Sequence, residues 1–184
     1  LATNIYLDPN RDFAVDPITK QAVALDPNHS AALSAVRYDS ANIEITSKDI
    51  LIGEGGNDYL IGGKGDDILL GGDGRDLYYY RMGDGTDTLR SLAATGTTLR
   101  FGPGIAPADL RLRLDGGDLV IGIGEGTDSA VRLAGFDRER PLDHPPISAI
   151  RFADGSSMTF AEMLALDLEV TGTEGDDAIQ GTGL

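Results

Sequence analysis

The sequence predicts an all-β fold, and three observations carry that expectation. Glycine and aspartate recur every nine residues between short apolar runs over residues 44–79. From Leu89 to Leu166 the chain alternates apolar and polar residues in short runs punctuated by glycine. Helical spacing is clear only in FAEMLAL from Phe160, where Thr159 stands in the N-cap place.

Composition limits what such a fold can do. Fifteen basic residues against 30 acidic ones leave a net charge of −15, which argues against nucleic acid or an anionic membrane as a partner and favours cations. No apolar run is long enough to span a bilayer, so membrane insertion is not expected. Cysteine is absent, so neither a disulfide nor a zinc–thiolate site can brace the chain. A start at Leu1 without methionine and an ending in GTGL lead us to expect a piece of a longer protein.

Residues 1–43 form an N-terminal flank or cap that fits no recognisable pattern. FAVDPITKQAVAL reads as a hairpin turned at Asp16-Pro17, and SAALSAVRY as a helical turn or a strand leading onward. Asp-Pro bonds at Asp8, Asp16 and Asp26 suit turns, and no signature of a self-cleaving module accompanies them.

Residues 44–88 hold the repeats. GEGGNDYLI from Gly53, GGKGDDILL from Gly62 and GGDGRDLYY from Gly71 place aspartate sixth and an apolar residue eighth each time. EITSKDILI from Glu44 keeps Asp49 and the apolar triplet but has no glycine, and MGDGTDTL follows after a two-residue phase shift near Tyr80 and Arg81. Each glycine costs about 0.5–1 kcal/mol relative to alanine in a regular element. The acids between them also repel one another, so a ligand must offset both terms.

These units resemble the RTX, or haemolysin-type, calcium-binding nonapeptide repeat, with Glu54 in place of one glycine. The resemblance implies a parallel β-roll in which six residues turn, three form a strand, and two units make one coil. Calcium takes about six to eight oxygen ligands, which flexible turns supply as carbonyls and aspartate as charge. Leu60, Leu69 and Tyr78 are expected to point inward. Carried over by position, the family's ligand pattern joins Glu54, Gly56 and Asp58 to Gly71, Asp73 and Asp76. A second site joins Ile45, Ser47 and Asp49 to Gly62, Lys64 and Asp67. A third joins Gly63, Gly65 and Asp67 to Met82, Asp84 and Asp87, which makes Asp67 a carboxylate shared by two ions through its two oxygens.

Residues 89–167 read as strands at TTLRF, DLRLRL, GDLVIGIG, SAVRLAGF and ISAIRF, with turns at Gly102–Gly104, Gly116–Gly117, Gly124–Asp128 and Asp154–Gly155. FGPGIAPADLRL, GGDLVIGI and ISAIRFADGSSMTF resemble the haemolysin-type calcium-binding-related domain that sits between RTX blocks. That resemblance implies a small antiparallel β cap covering an end of the roll. The run Tyr78–Tyr80 fits an apolar lid there, or a platform for stacking sugars. Residues 168–184 open a further RTX block, with Thr173, Gly175 and Asp177 in ligand-like places.

No catalytic motif accompanies these features. His29 and His144 are the only histidines, which excludes an H-E-x-x-H site, and no G-x-S-x-G elbow occurs. GIGEG at Gly122 lacks the following helix a dinucleotide site needs and reads as a hairpin turn. The expected function is therefore not enzymatic. It is a calcium-binding module, secreted or on a bacterial cell surface, that folds when calcium arrives and supports type I secretion of a larger exoprotein. Its partners would be calcium ions and, while unfolded, the type I machinery. The alternatives are an adhesin or surface-layer segment with glycans or neighbouring copies as partners, and the C-terminal part of a secreted hydrolase.

Overall fold

The computed structural model describes residues 13–15, 22–24, 31–34, 46, 48–53, 55–91, 96–126 and 128–166. Strands β1 (Phe13–Val15) and β2 (Ala22–Ala24) pair antiparallel, in keeping with the hairpin expected there. β3 (Ala31–Ser34) is a strand rather than a helical turn.

The repeats then lay down β4 (Ile50–Ile52), β5 (Asp58–Ile61), β6 (Ile68–Gly72) and β7 (Leu77–Tyr80), which alternate between two sheets. Ile50 pairs with Ile68 and Tyr59 with Leu77, each in parallel, so one coil takes two nonapeptides, as the β-roll requires. β8 (Thr86–Ser91) joins β6 through Ile68 and Thr88, and a register shift between Leu70 and Gly72 accompanies the longer coil. β9 (Thr98–Phe101) pairs with β7 in the other sheet. At the opposite end β3 adds in parallel to β5, with Ala31 opposite Asp58. That offset of 27 residues is nine more than the 18 of a two-unit coil, so β3 extends this sheet of the roll in parallel through a longer connection without the glycine signature.

The remaining strands are β10 (Leu110–Asp115), β11 (Asp118–Ile123), β12 (Ala130–Leu133), β13 (Ala149–Arg151) and β14 (Ser157–Thr159). β10, β11 and β12 form an antiparallel meander, and the GIGEG segment closes β11 at Ile123 and opens the turn toward β12 at Gly124. β13 and β14 form a hairpin about Asp154–Gly155. The antiparallel cap is thus present, but its joint with the roll is parallel. β12 lies alongside β8 and β13 alongside β9, so both sheets run on from roll to cap. The short helix α1 (Phe160–Leu164) is capped as expected. Thr159 Oγ1 accepts from the Glu162 amide at 3.1 Å, and Glu162 Oε2 accepts from the Thr159 amide at 2.7 Å.

One core runs the length of both sheets. Leu51, Leu60, Leu69, Tyr78, Leu89 and Leu99 fill the roll from alternate sides. Phe101, stacked at 5.7 Å on Phe152, carries the core into the cap. Tyr79 and Tyr80 are also buried, so the tyrosine run offers no platform for a sugar to stack upon. No helix among the described residues is long and apolar enough to cross a membrane.

Candidate metal centre

Because one coil takes two units, the six-residue turns stack in two columns on opposite edges of the roll. One column holds Asp49 and turns 62–67 and 82–87, and the other holds residues 55–58, turn 71–76 and Thr97. Backbone bonds tie each step: the amides of Ile68, Thr88 and Thr98 donate to the carbonyls of Asp49, Asp67 and Asp76 at 2.9, 2.7 and 2.8 Å.

The sixth-place aspartates form ladders along these columns. Asp67 Oδ1 accepts from the amide of Asp49 at 2.7 Å, and Asp87 Oδ1 from the amide of Asp67 at 3.1 Å. In the second column Asp76 Oδ1 accepts from the amide of Asp58 at 3.1 Å. None of these five aspartates is more than 2% exposed. Burying like charges in stacks is costly unless a counter-charge enters.

The second oxygens face inward on the turns. Oδ2 of Asp67 and Oδ2 of Asp87 are buried and accept no hydrogen bond. A methyl group added at Gly62 or Gly71 would collide with Oδ2 of Asp67 or Asp76, and one at Gly53 with both Oδ2 of Asp58 and the carbonyl oxygen of Gly71. At Gly74 and Gly85 the obstruction is the carbonyl oxygen of Gly56 and of Gly65. Glycine is therefore required because oxygens crowd the space a side chain would take.

Electrostatics point the same way. Burial, reinforced by the neighbouring carboxylates Asp49, Asp84 and Asp66, pushes Asp67 up to about 6, and burial beside Asp67, Asp84 and Asp66 pushes Asp87 up to about 9. Exposed Asp66 behaves oppositely, held low by Lys48 at 2.7 Å and by the amide of Thr86.

Among the described residues no three acidic or histidine side chains gather on one point. With only one buried sixth-place aspartate per turn and no side-chain cluster, further ligands would be backbone carbonyls. An all-oxygen donor set of that kind suits a hard cation such as calcium and disfavours thiophilic or imidazole-seeking metals. Orphaned carboxylate oxygens and oxygen-lined glycine cradles are features such an ion fits.

The structure brings together much of each expected set. Gly56, Asp58, Gly71, Asp73 and Asp76 share two stacked turns, with the Gly56 amide donating to the Asp73 carbonyl at 2.8 Å. Asp49, Gly62 and Asp67 are adjacent, whereas Lys64 is exposed. Gly65 donates to the Asp84 carbonyl at 2.6 Å, joining the turns of Asp67 and Asp87; Gly63 is buried in the first of these turns, and Met82 is exposed at the start of the second. Ile45, Ser47 and Glu54 lie outside the described residues, as do Thr173, Gly175 and Asp177.

Two details differ from expectation. Asp67 has one oxygen, not two, uncommitted, since Oδ1 already accepts from the Asp49 amide. Asp84 also carries a buried ion pair, its Oδ1 lying 2.9 Å from Arg81 Nη2. Sequence reasoning passed over the fifth place of each unit. There Asn57 Oδ1 accepts from the Arg75 amide at 2.8 Å and Asp66 Oδ1 from the Thr86 amide at 3.1 Å, stitching successive turns together. The signal was present as an Asn or Asp beside the regular aspartate.

Comparison with known proteins adds the family. No curated protein matches the sequence. Residues 46–78 match the RTX calcium-binding nonapeptide repeat (4 copies), the stretch that holds Asp49, Asp58, Asp67 and Asp76 of the two columns. The chain therefore contains a block of RTX haemolysin-type calcium-binding repeats.

Proposed function

We propose that this chain is a calcium-dependent folding module of a secreted bacterial protein. The observation that carries the reading is the ladder Asp49–Asp67–Asp87, in which two buried carboxylate oxygens have no hydrogen-bond partner and face glycine turns lined with carbonyls. Asp58, Asp76 and Asp87 would contribute charge in the same way as Asp67, with the carbonyls of Gly56, Gly65 and Gly71 as neutral donors. Bound calcium would supply the positive charge that the columns lack.

Without it, glycine entropy and the repulsion of stacked acids favour an open chain. That condition suits passage through type I machinery from a calcium-poor cytosol, with folding free energy supplied by calcium outside. The module itself is read as non-enzymatic, any catalysis of the parent protein residing beyond these residues. With Tyr78–Tyr80 buried, that run gives no support to a glycan-binding reading.

Circular dichroism during a calcium titration tests this. The β signal should rise cooperatively at about 10⁻⁴–10⁻³ M calcium, the range of extracellular modules, with magnesium a poor substitute. An equal β signal in excess chelator would overturn the reading.

A further inference from the structure

The aspartate ladders stop abruptly. Beyond Asp87 the next position in the stack is Val131, paired with it in register. Beyond Asp76 the next position is Thr97, just before Thr98, which pairs with Leu77. The last glycine turn of each column, 71–76 and 82–87, therefore has no aspartate at the register position stacked on its sixth-place aspartate.

Strand β7 supplies a hydroxyl to each of these turns. Tyr78 occupies the eighth place that Leu51, Leu60 and Leu69 fill elsewhere, and its ring is fully buried. Its hydroxyl accepts from the amide of Gly71 at 2.8 Å and donates to the carbonyl of Arg90, at the end of β8 in the opposite sheet, at 3.0 Å. The same hydroxyl lies 2.7 Å from where a side chain of Gly71 would begin, beside Oδ2 of Asp76. Two residues on, buried Tyr80 donates to the carbonyl of Gly85 at 2.6 Å, in the last turn of the other column, its ring held edge-on against Phe101 at 6.1 Å.

We propose that Tyr78 and Tyr80 are positioning residues for the metal turns: their hydroxyls hold the terminal turn of each column from within the core, at the tier where the aspartate ladder ends. Leucine fills the same core position but has no atom to offer Gly71. The two braces act on different columns, Tyr78 on the Asp58–Asp76 column and Tyr80 on the Asp67–Asp87 column. This inference rests on calcium being the ligand of both columns.

The test is a calcium titration of the full chain and of Y78F and Y80F, followed at saturating calcium by amide hydrogen exchange read residue by residue. Y78F should speed exchange at Gly56 and Gly71 about tenfold, the equivalent of one buried hydrogen bond, and leave Gly62 and Gly65 near their unaltered rates. Y80F should do the reverse. A general packing defect would speed exchange in both columns together, so equal changes at all four glycines, or none, would overturn the proposal. So would a Y78F chain that stays unfolded at saturating calcium, because the phenyl ring still fills the core. If the unaltered chain shows no calcium response at all, the calcium reading itself fails, and that outcome is distinct from a uniform change in exchange.

Discussion

Three glycines that look alike in sequence should respond very differently to alanine. Gly74 has φ +137° and a methyl there would overlap the carbonyl oxygen of Gly56; Gly83 has φ +82° but open space around it; Gly55 has neither a left-handed φ nor a neighbour within 4 Å. Left-handed strain on a residue with a Cβ costs about 1–2 kcal/mol, and forcing a backbone carbonyl aside adds about 1–3 kcal/mol. Gly74→Ala should therefore cost about 3 kcal/mol, Gly83→Ala about 1.5 kcal/mol, and Gly55→Ala under about 0.5 kcal/mol. Folding is linked to calcium, so the loss is read as a higher midpoint, divided among the ions taken up. With roughly three ions bound per folding event and about 1.4 kcal/mol per tenfold, the midpoints should rise about fivefold, about twofold and not measurably. Circular dichroism against calcium concentration gives all three numbers. Equal shifts for Gly55→Ala and Gly74→Ala would refute the claim that crowding by oxygens, rather than glycine content as such, governs these turns.

Burial raises Asp67 to about 6 and Asp87 to about 9, so the calcium-free fold prefers them protonated. Stability from these groups is complete below the ordinary carboxylate range and is lost as pH rises through about 6 and then about 9. In chelator the β signal should thus grow on acidification from pH 9 to 5, while the calcium midpoint should fall as pH rises, because calcium displaces protons; a midpoint unchanged between about pH 5 and 8 would count against this. Asp67 is the middle rung of the longer ladder, so Asp67→Ala should raise the midpoint more than Asp76→Ala and reduce the ions counted by calorimetry further. Arg81→Met removes the guanidinium facing a carboxylate only 2% exposed and should destabilise by about 3 kcal/mol in thermal unfolding, with Asp84→Asn in the same chain restoring part of the loss.

Register explains how much was legible in the sequence. A nine-residue period with invariant phase carries the coil of two units, the two columns and the inward Leu60, Leu69 and Tyr78, because glycine and aspartate leave few other ways to turn. β3 gave no such signal, since its pairing with β5 depends on backbone register and its turn has no glycine–aspartate pattern. The parallel joints β8–β12 and β9–β13 were hidden for a related reason: alternation reveals which face is apolar, not the direction of the neighbouring strand. Tyr78 was readable as core, but the partners of its hydroxyl are set by β8 and by Gly71, which only the folded coil brings together.

The parallel joints also set an order of events. Arg132 reaches back 44 residues to Thr88, and Ile150 reaches back 51 to Leu99, so β12 and β13 need β8 and β9 as templates. β8 emerges from turn 82–87, and β9 pairs with β7, which emerges from turn 71–76, where the aspartates end. The cap, which supplies none of the expected ligands, should then become exchange-protected in the same calcium step as the roll. Amides of Val131 and Ile150 would slow their hydrogen exchange together with those of Leu69 and Tyr78, so that an ion bound at one edge of the molecule decides whether a distant hairpin exists at all.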